Sequence, residues 1–187
     1  MASRAARKRP GRLPFADVLA RPGAVATTFG GLIARSPISM VPIGLIAIGS
    51  GPLGSYAVGG GAAGAFSIAN AIGSTLIGRA ADEKGHRVIL LRTAVAMAIA
   101  AAAITWVALV AQQSVLLVAA AALFGAATPN IGSLIRARWT HMLSAPQLRL
   151  RALALEAVND ETNFLIGPPI ASLLIVQGLA WGPIAAA

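Results

Sequence analysis

The sequence predicts an all-α protein, a polytopic transmembrane helix bundle of about five spans. Three observations predict it. Of 187 residues, 57% are hydrophobic and only 11% charged, with a mean hydropathy of +0.76, where soluble domains carry about 25% charged residues. Two tracts, 36–78 and 93–135, run for about 43 residues each without a charge, and a helix needs about 20 to cross a bilayer. Each tract therefore holds two spans joined by a turn. The charges that do occur are gathered into short segments between the apolar ones.

In chain order, residues 1–22 form a basic arm, with Arg4, Arg7, Lys8, Arg9, Arg12 and Arg21 against Asp17. No apolar core or small-residue cleavage site follows at secretory-signal distance, so the arm reads as a cytoplasmic, membrane-surface segment. The sequence pI of 11.8 would suit a nucleic-acid binder. That class is excluded because the basic residues are confined to short segments and aromatic residues make up only 5%.

The transmembrane bundle occupies 23–187. Its first span, 23–48, is interrupted by Arg35, Ser36 and Pro37; a Gly-rich turn at 49–54 leads into the second span, 55–78. Residues 49–54 and 59–64 both match Gly-x-Gly-x-x-Gly, yet neither follows a strand within a βαβ unit, so neither reads as a dinucleotide site. Gly60 and Gly64 read instead as a small-residue face for close helix contact. A charged segment at 78–87 is the loop to the third span, 88–110, and a polar turn at 111–114 leads to the fourth, 115–135. A longer connection carries Arg136, Arg138, His141, Arg149 and Arg151 before the fifth span, 152–179; residues 180–187 read as a turn and the start of a sixth.

Lys and Arg set the orientation. Six lie in the arm, four at or beside 78–92 (Arg79, Lys84, Arg87, Arg92) and four in the fourth-to-fifth connection, with none in 49–55 or 111–114. By the positive-inside rule the N terminus and both charged connections are cytoplasmic, which places the chain as a multi-pass protein of the cell membrane.

The remaining basic residue, Arg35, lies about eleven residues into its span, about 16 Å deep at 1.5 Å per residue. An arginine there costs about 2.5–3.5 kcal/mol and should face the bundle interior or a water-filled cavity, with Pro37 freeing nearby carbonyls. The fifth span supplies counter-charges: Glu156, Asp160, Asn163 and Gly167 recur at i, i+4, i+7 and i+11, one helical face. Asp160 lies about 13 Å from the cytoplasmic end, close to the depth of Arg35. Arg35 is expected to pair with Asp160 or Glu161, or to share a polar cavity with them. The alternatives are that Arg35 snorkels to the surface and that Glu156 and Glu161 are interfacial. Gly167, Pro168 and Pro169 should kink the fifth span, since two ladder hydrogen bonds are lost.

The segment 78–87 also carries a signature. Gly78, Asp82, Gly85 and Arg87 in the pattern Gly-x-x-x-Asp-x-x-Gly-x-Arg, between second and third spans, resemble the cytoplasmic loop motif of the major facilitator superfamily of secondary transporters. Ala80 stands where that motif usually has Leu, and Glu83 where it has a basic residue. Gly167 and Pro168 resemble the Gly-Pro element in the fifth span of its drug–proton antiporters, although Ala171 and Ser172 replace two glycines and Asn163 the opening one. The fourth-span motif is largely missing, with Ala121 where its Arg is expected. Arg136, Ala137, Arg138 and Trp139, with the tract 154–168, are similar to multidrug-efflux-type members.

The resemblance implies the N-terminal half of a secondary transporter, an incomplete six-helix repeat, exporting small molecules or drugs against protons. It implies that Asp82 and Arg87 latch neighbouring helices at the cytoplasmic face, biasing the carrier outward-facing, where Gly78 allows close packing and Gly85 a reversal. Alternating access needs a second repeat, so the chain is expected not to transport alone. A fragment, a truncated product and a unit that pairs with a second half or a second copy all remain open, and the other class of reading is a non-transporting multi-pass membrane protein, an assembly partner or inert remnant. Protons, membrane lipids and an unidentified small molecule are the expected partners. An enzyme is not expected: there is no Cys, His86 and His141 fall in separate loops, and no catalytic, metal-ligand or cofactor constellation is present.

Overall fold

A computed structural model describes residues 15–178 and 182–185. Residues 1–14, which hold the basic residues up to Arg12, residues 179–181 and the last two residues lie outside the described residues. Among the described residues all regular structure is helical.

A short helix α1 (Ala16–Leu19) precedes α2 (Ala24–Ala34) and α3 (Ser36–Ser50), which are the two pieces of the first span, broken at Arg35. Pro37 sits in the first turn of α3, where its missing N–H is one that no intrahelical carbonyl awaits. It therefore starts a helix and does not kink one. Helix α4 (Tyr56–Lys84) is capped by Ser55, whose Oγ accepts from Val58 N at 3.4 Å. It runs six residues past the expected end at Gly78, through the charged segment. The expected loop at 78–87 is thus a single residue: Gly85, at φ +90 and ψ 136, ends α4 and begins α5 (His86–Trp106).

Helix α5 widens into a π-turn, Val107–Ala111, that closes on Gln112 at φ +48. The fourth span is also broken, which its apolar tract did not lead one to expect: α6 (Ser114–Ala127) stops, Thr128 turns extended, Pro129 and Asn130 stay outside any helix, and α7 (Ile131–Met142) restarts with Asn130 capping Ser133 N at 3.0 Å. The expected long connection after 135 is accordingly mostly helix, and only residues 143–145 link it to α8 (Pro146–Val176). Helix α8 is continuous through Pro168 and Pro169, and α9 (Gly182–Ala185) follows.

Four helical stretches are long and apolar enough to cross a membrane: Ala24–Ser50, Tyr56–Lys84, His86–Ala111 and Ser114–Met142. Helix α8, at 31 residues, has the length, but Glu156, Asp160 and Glu161 depress its hydropathy and it is not one of the four. The outer surfaces suit a hydrocarbon solvent. Val25, Phe29 and Ile33 on α2, Ile68, Ile72 and Leu76 on α4, and Leu91, Val95 and Ile99 on α5 are exposed at i, i+4 spacing, forming outward apolar stripes on three helices.

The main core joins α3, α4, α5 and α6 around Leu45, Ile48, Phe66, Ile104 and Phe124, with the rings of Phe66 and Phe124 tilted at 42° and 6.1 Å apart. Backbone contact sets the spacing of α4. A Cβ on Gly125 would meet the Phe66 carbonyl, one on Gly73 would meet Ala126, and Gly49 lies on Gly59. Such approaches are possible only where side chains are absent. The expected contact face at Gly60 and Gly64 is displaced by one residue: neither is near another helix, and the packed positions are Gly59, Ala62, Phe66 and Gly73. A second cluster joins α1 to α7 and α8 through Val18, Ile135, Trp139, Ala152 and Leu155, so the end of the basic arm is packed into the fold.

Candidate functional site

Helix α2 is 11 residues long and α7 is 12, so both breaks lie about 16–18 Å from the Arg-rich end of the bundle. They face a common space, since Ala34 and Pro37 line one cavity together with Pro129 and Ile131. Arg35 stands at the first break and its side chain is only 3% exposed. It is held by α8. Arg35 Nη2 donates to Glu156 Oε2, and Arg35 Nε lies 2.9 Å from Asp160 Oδ1. The Nε contact is electrostatic, because its direction falls outside hydrogen-bond geometry. Asn163 Nδ2 donates to the Arg35 carbonyl at 3.1 Å, which also accepts from Ile38 N at 3.2 Å.

Glu156 is fully buried. Its second oxygen accepts from Trp139 Nε1 on α7 at 3.0 Å, so both oxygens are occupied. Asp160 differs: it is 35% exposed, and its Oδ2 accepts from Arg136 Nη1, also on α7, at 2.9 Å. Two arginines and two carboxylates therefore balance, in a setting where an unpaired charge would cost several kcal/mol. Further along, Ser39 Oγ lies 3.3 Å from Asn163 Oδ1, and Gly167 is pressed against Ser39, where a Cβ would collide. The buried polar residues of α8 are Glu156, Asn159 and Asn163, with Gly167 buried beyond them, and Asp160 flanks that face. Thr28 Oγ1, Arg35 Nη1 and Asn159 Nδ2 are buried without a protein partner among the described residues, so the seam between α2–α3 and α8 keeps donors in reserve.

Glu161 belongs to none of this. It is exposed and lines a shallow groove with Ala157, Val158, Thr162 and Leu165, because one residue of helix turns it about 100° from Asp160. Of the two acids expected to meet Arg35, Asp160 does and Glu161 does not; Glu156 is the one that meets it most closely. Arg136 and Trp139 are the unexpected members. From sequence Arg136 enters as an orienting charge and within the efflux-like stretch 136–139, with no partner named for it, yet Gly132, Arg136 and Trp139 fall at i, i+4 and i+7, the spacing of a single face.

The residues of the loop motif lie elsewhere. Gly78 is inside α4, and a Cβ there would touch nothing, so it provides no close packing. Asp82 lies in the last turn of α4, not beyond it, and Arg87 in the first turn of α5. Both are exposed, and the ion pairs among the described residues leave them aside. Asp82 does look across a cavity of 590 Å³ toward Arg138 and His141 of α7, with His86 on the same rim. That cavity adjoins the 670 Å³ one at the breaks through Ala34, Leu90 and Ile131, and Ile184 of α9 stands in the second. No group of three metal-ligating side chains occurs among the described residues. No protein-family description, curated protein or solved structure gives a significant match to the chain.

Proposed function

We propose that this chain is part of a secondary active transporter of the major facilitator type, the N-terminal half of a carrier that exports small molecules or drugs in exchange for protons. The carrying observation is the four-charge cluster Arg35, Glu156, Asp160 and Arg136, set where two apolar helices break at the same depth. Ionisable groups inside a membrane are costly and mark ion or substrate pathways. Discontinuous helices meeting near the midplane are the usual construction of transporter sites. On this reading α8 is the fifth span, tolerated in lipid because its charged face is turned to α2, α3 and α7.

The orientation follows the arginines: the ends of the bundle at Gly85 and at residues 143–145 face the cytoplasm, and those at residues 51–55 and 112–113 face outward. The membrane is the cell membrane. The exposed side of Asp160 and Arg136 is one wall of the pathway, and the opposite wall comes from a second transporter half or a second copy. The purified chain alone should then carry no net flux.

The test is flux in native membranes. Inside-out vesicles from cells that make the chain should accumulate an amphipathic cationic dye when a pH gradient is imposed, and deletion of the gene should abolish it. Restoration with the intact gene should recover the flux, and restoration with Arg35→Ala should not. Equal accumulation with and without the gene, across dyes of both charges, would instead identify a non-transporting membrane protein.

A further inference from the structure

Thr28, Gly31 and Arg35 fall at i, i+3 and i+7, one face of α2 and its C-cap. Two groups on that face, Thr28 Oγ1 and Arg35 Nη1, are buried without a protein partner among the described residues. The rest of the guanidinium is engaged, Nη2 by Glu156 and Nε by Asp160. Nη1 lies beside Gly31: a Cβ there would stand 3.1 Å from it and would overlap Ile135 Cδ1. Thr28 is one turn away on the same face, about 5–6 Å between Cβ positions. Gly31 and Ile135 both line the 590 Å³ cavity, whereas Thr28 and Arg35 stand behind them. A glycine notch, flanked by two unused polar groups, is thus covered on its cavity side by one isoleucine methyl.

We propose that this notch is a binding subsite for one uncharged oxygen acceptor, held by Arg35 Nη1 and the Thr28 hydroxyl, and that Ile135 is its cover. Charge decides the ligand class. Arg35 and Arg136 already balance Glu156 and Asp160. A carboxylate would bring a third anion and an ammonium a third cation, and an unpaired buried charge is strongly unfavourable. A carbonyl, amide or water oxygen leaves the balance unchanged, and its two lone pairs suit a guanidinium N–H and a hydroxyl, since a guanidinium can only donate. Ile135 is 9% exposed and has the cavity on its other side, which gives its methyl room to turn aside.

Two kinds of molecule can supply such an oxygen. A buried water takes two to four polar partners, and the notch offers two. An amphipathic solute carries its oxygen on an apolar body, and the cavity has apolar walls for one in Leu90, Ile131, Leu134 and Met142, at a volume within the range of small-molecule pockets. The charged members of the lining, Asp82 and Arg138, are exposed. A solute in the cavity would therefore have its uncharged oxygen in the notch and its apolar part against α5 and α7, with the Ile135 methyl displaced.

The test uses the full chain in lipid nanodiscs with nitrogen-15 arginine, the Arg35 guanidinium signals being identified by their loss in Arg35→Lys. Three probes share one tail and differ in head charge: decanamide, decanoate and decylammonium, compared at equal concentration in the lipid. Decanamide should shift the Nη1 signal saturably and the two charged probes should not. Thr28→Val, which keeps the shape and removes the hydroxyl, should weaken the amide about fivefold, the loss of one hydrogen bond. Without probe, the Nη1 protons should exchange with water faster than those of Nη2, and faster still in Ile135→Ala. If Ile135→Ala does not fold, Ile135→Val should show a smaller acceleration. Exchange at Nη1 with no response to decanamide keeps the subsite and names water as its acceptor. Saturable binding of decanoate or decylammonium in preference to the amide would overturn the proposal. So would an amide affinity unchanged in Thr28→Val, exchange indifferent to the residue at 135, or an Nη1 that neither exchanges nor shifts. None of these readouts depends on flux, so the subsite stands or falls apart from the transport reading.

Discussion

Replacing Glu156 by Gln tests the electrostatic logic of the cluster most directly. The substitution keeps the size of the side chain and an oxygen for Trp139 Nε1, and removes only the charge that faces Arg35. Arg35 is 3% exposed and Glu156 fully buried, so solvent screens little of their attraction. Breaking such a pair by removing one partner costs about 3–5 kcal/mol, mostly because the other charge stays buried. Asp160 remains 2.9 Å from Arg35 Nε, which puts Glu156→Gln near the lower end, about 3 kcal/mol. Arg35→Met alone should cost a similar amount, by leaving Glu156 with Trp139 as its single partner. The double variant, Arg35→Met with Glu156→Gln, leaves no unpaired buried charge and should cost about 1 kcal/mol, giving a coupling of several kcal/mol in a double-mutant cycle. Unfolding by SDS in mixed micelles, followed by circular dichroism, reads all four corners. Additive single costs, or a Glu156→Gln chain within about 0.5 kcal/mol of the parent, would refute the view that these two groups hold the break together.

Three further outcomes follow from the geometry. Gly125→Ala places a methyl against the Phe66 carbonyl and should cost about 1–3 kcal/mol, whereas Gly60→Ala meets nothing and should be neutral or gain about 0.5–1 kcal/mol from helix propensity; the same SDS titration compares them. Gly85→Ala forces a side chain into φ +90 and ψ 136 and should cost about 1–3 kcal/mol, seen as a lower midpoint in that assay. In intact cells an impermeant maleimide should label Pro52→Cys and not Lys84→Cys, and labelling of both would end the proposed topology.

How far the sequence anticipates the fold can be judged element by element. The break in the first span is legible because Arg, Ser and Pro interrupt an apolar run. The break in the fourth is announced only by Thr128, Pro129 and Asn130, polar by a small margin, and the residue before a proline leaves the helical region without any change in hydropathy. Charge led the second span to be ended at Gly78, yet Arg79, Ala80, Ala81, Glu83 and Lys84 are good helix formers, and only a residue at positive φ stops α4. The candidate site is legible in its depth and in most of its members, since the acids of α8 stand level with Arg35. Which acid meets it depends on helical phase, and neighbours such as Asp160 and Glu161 differ there by a rotation that depth does not register. Arg136 and Trp139 escape because their role depends on α7 being a helix, and that in turn depends on the unexpected break.

Helix α8 carries a consequence for how the chain is made. Arg35 and Glu156 are 121 residues apart, which at ribosomal rates separates their synthesis by roughly 6–24 s. For a chain inserted as it is translated, the arginine is delivered long before any acid that can neutralise it, and α8 arrives too polar to partition into lipid unaided. Each is the other's licence to enter. On the proposed five-span topology, assembly would have to keep the first span near the insertion machinery until α8 emerges, and a chain stalled between them would expose a lone guanidinium to quality control.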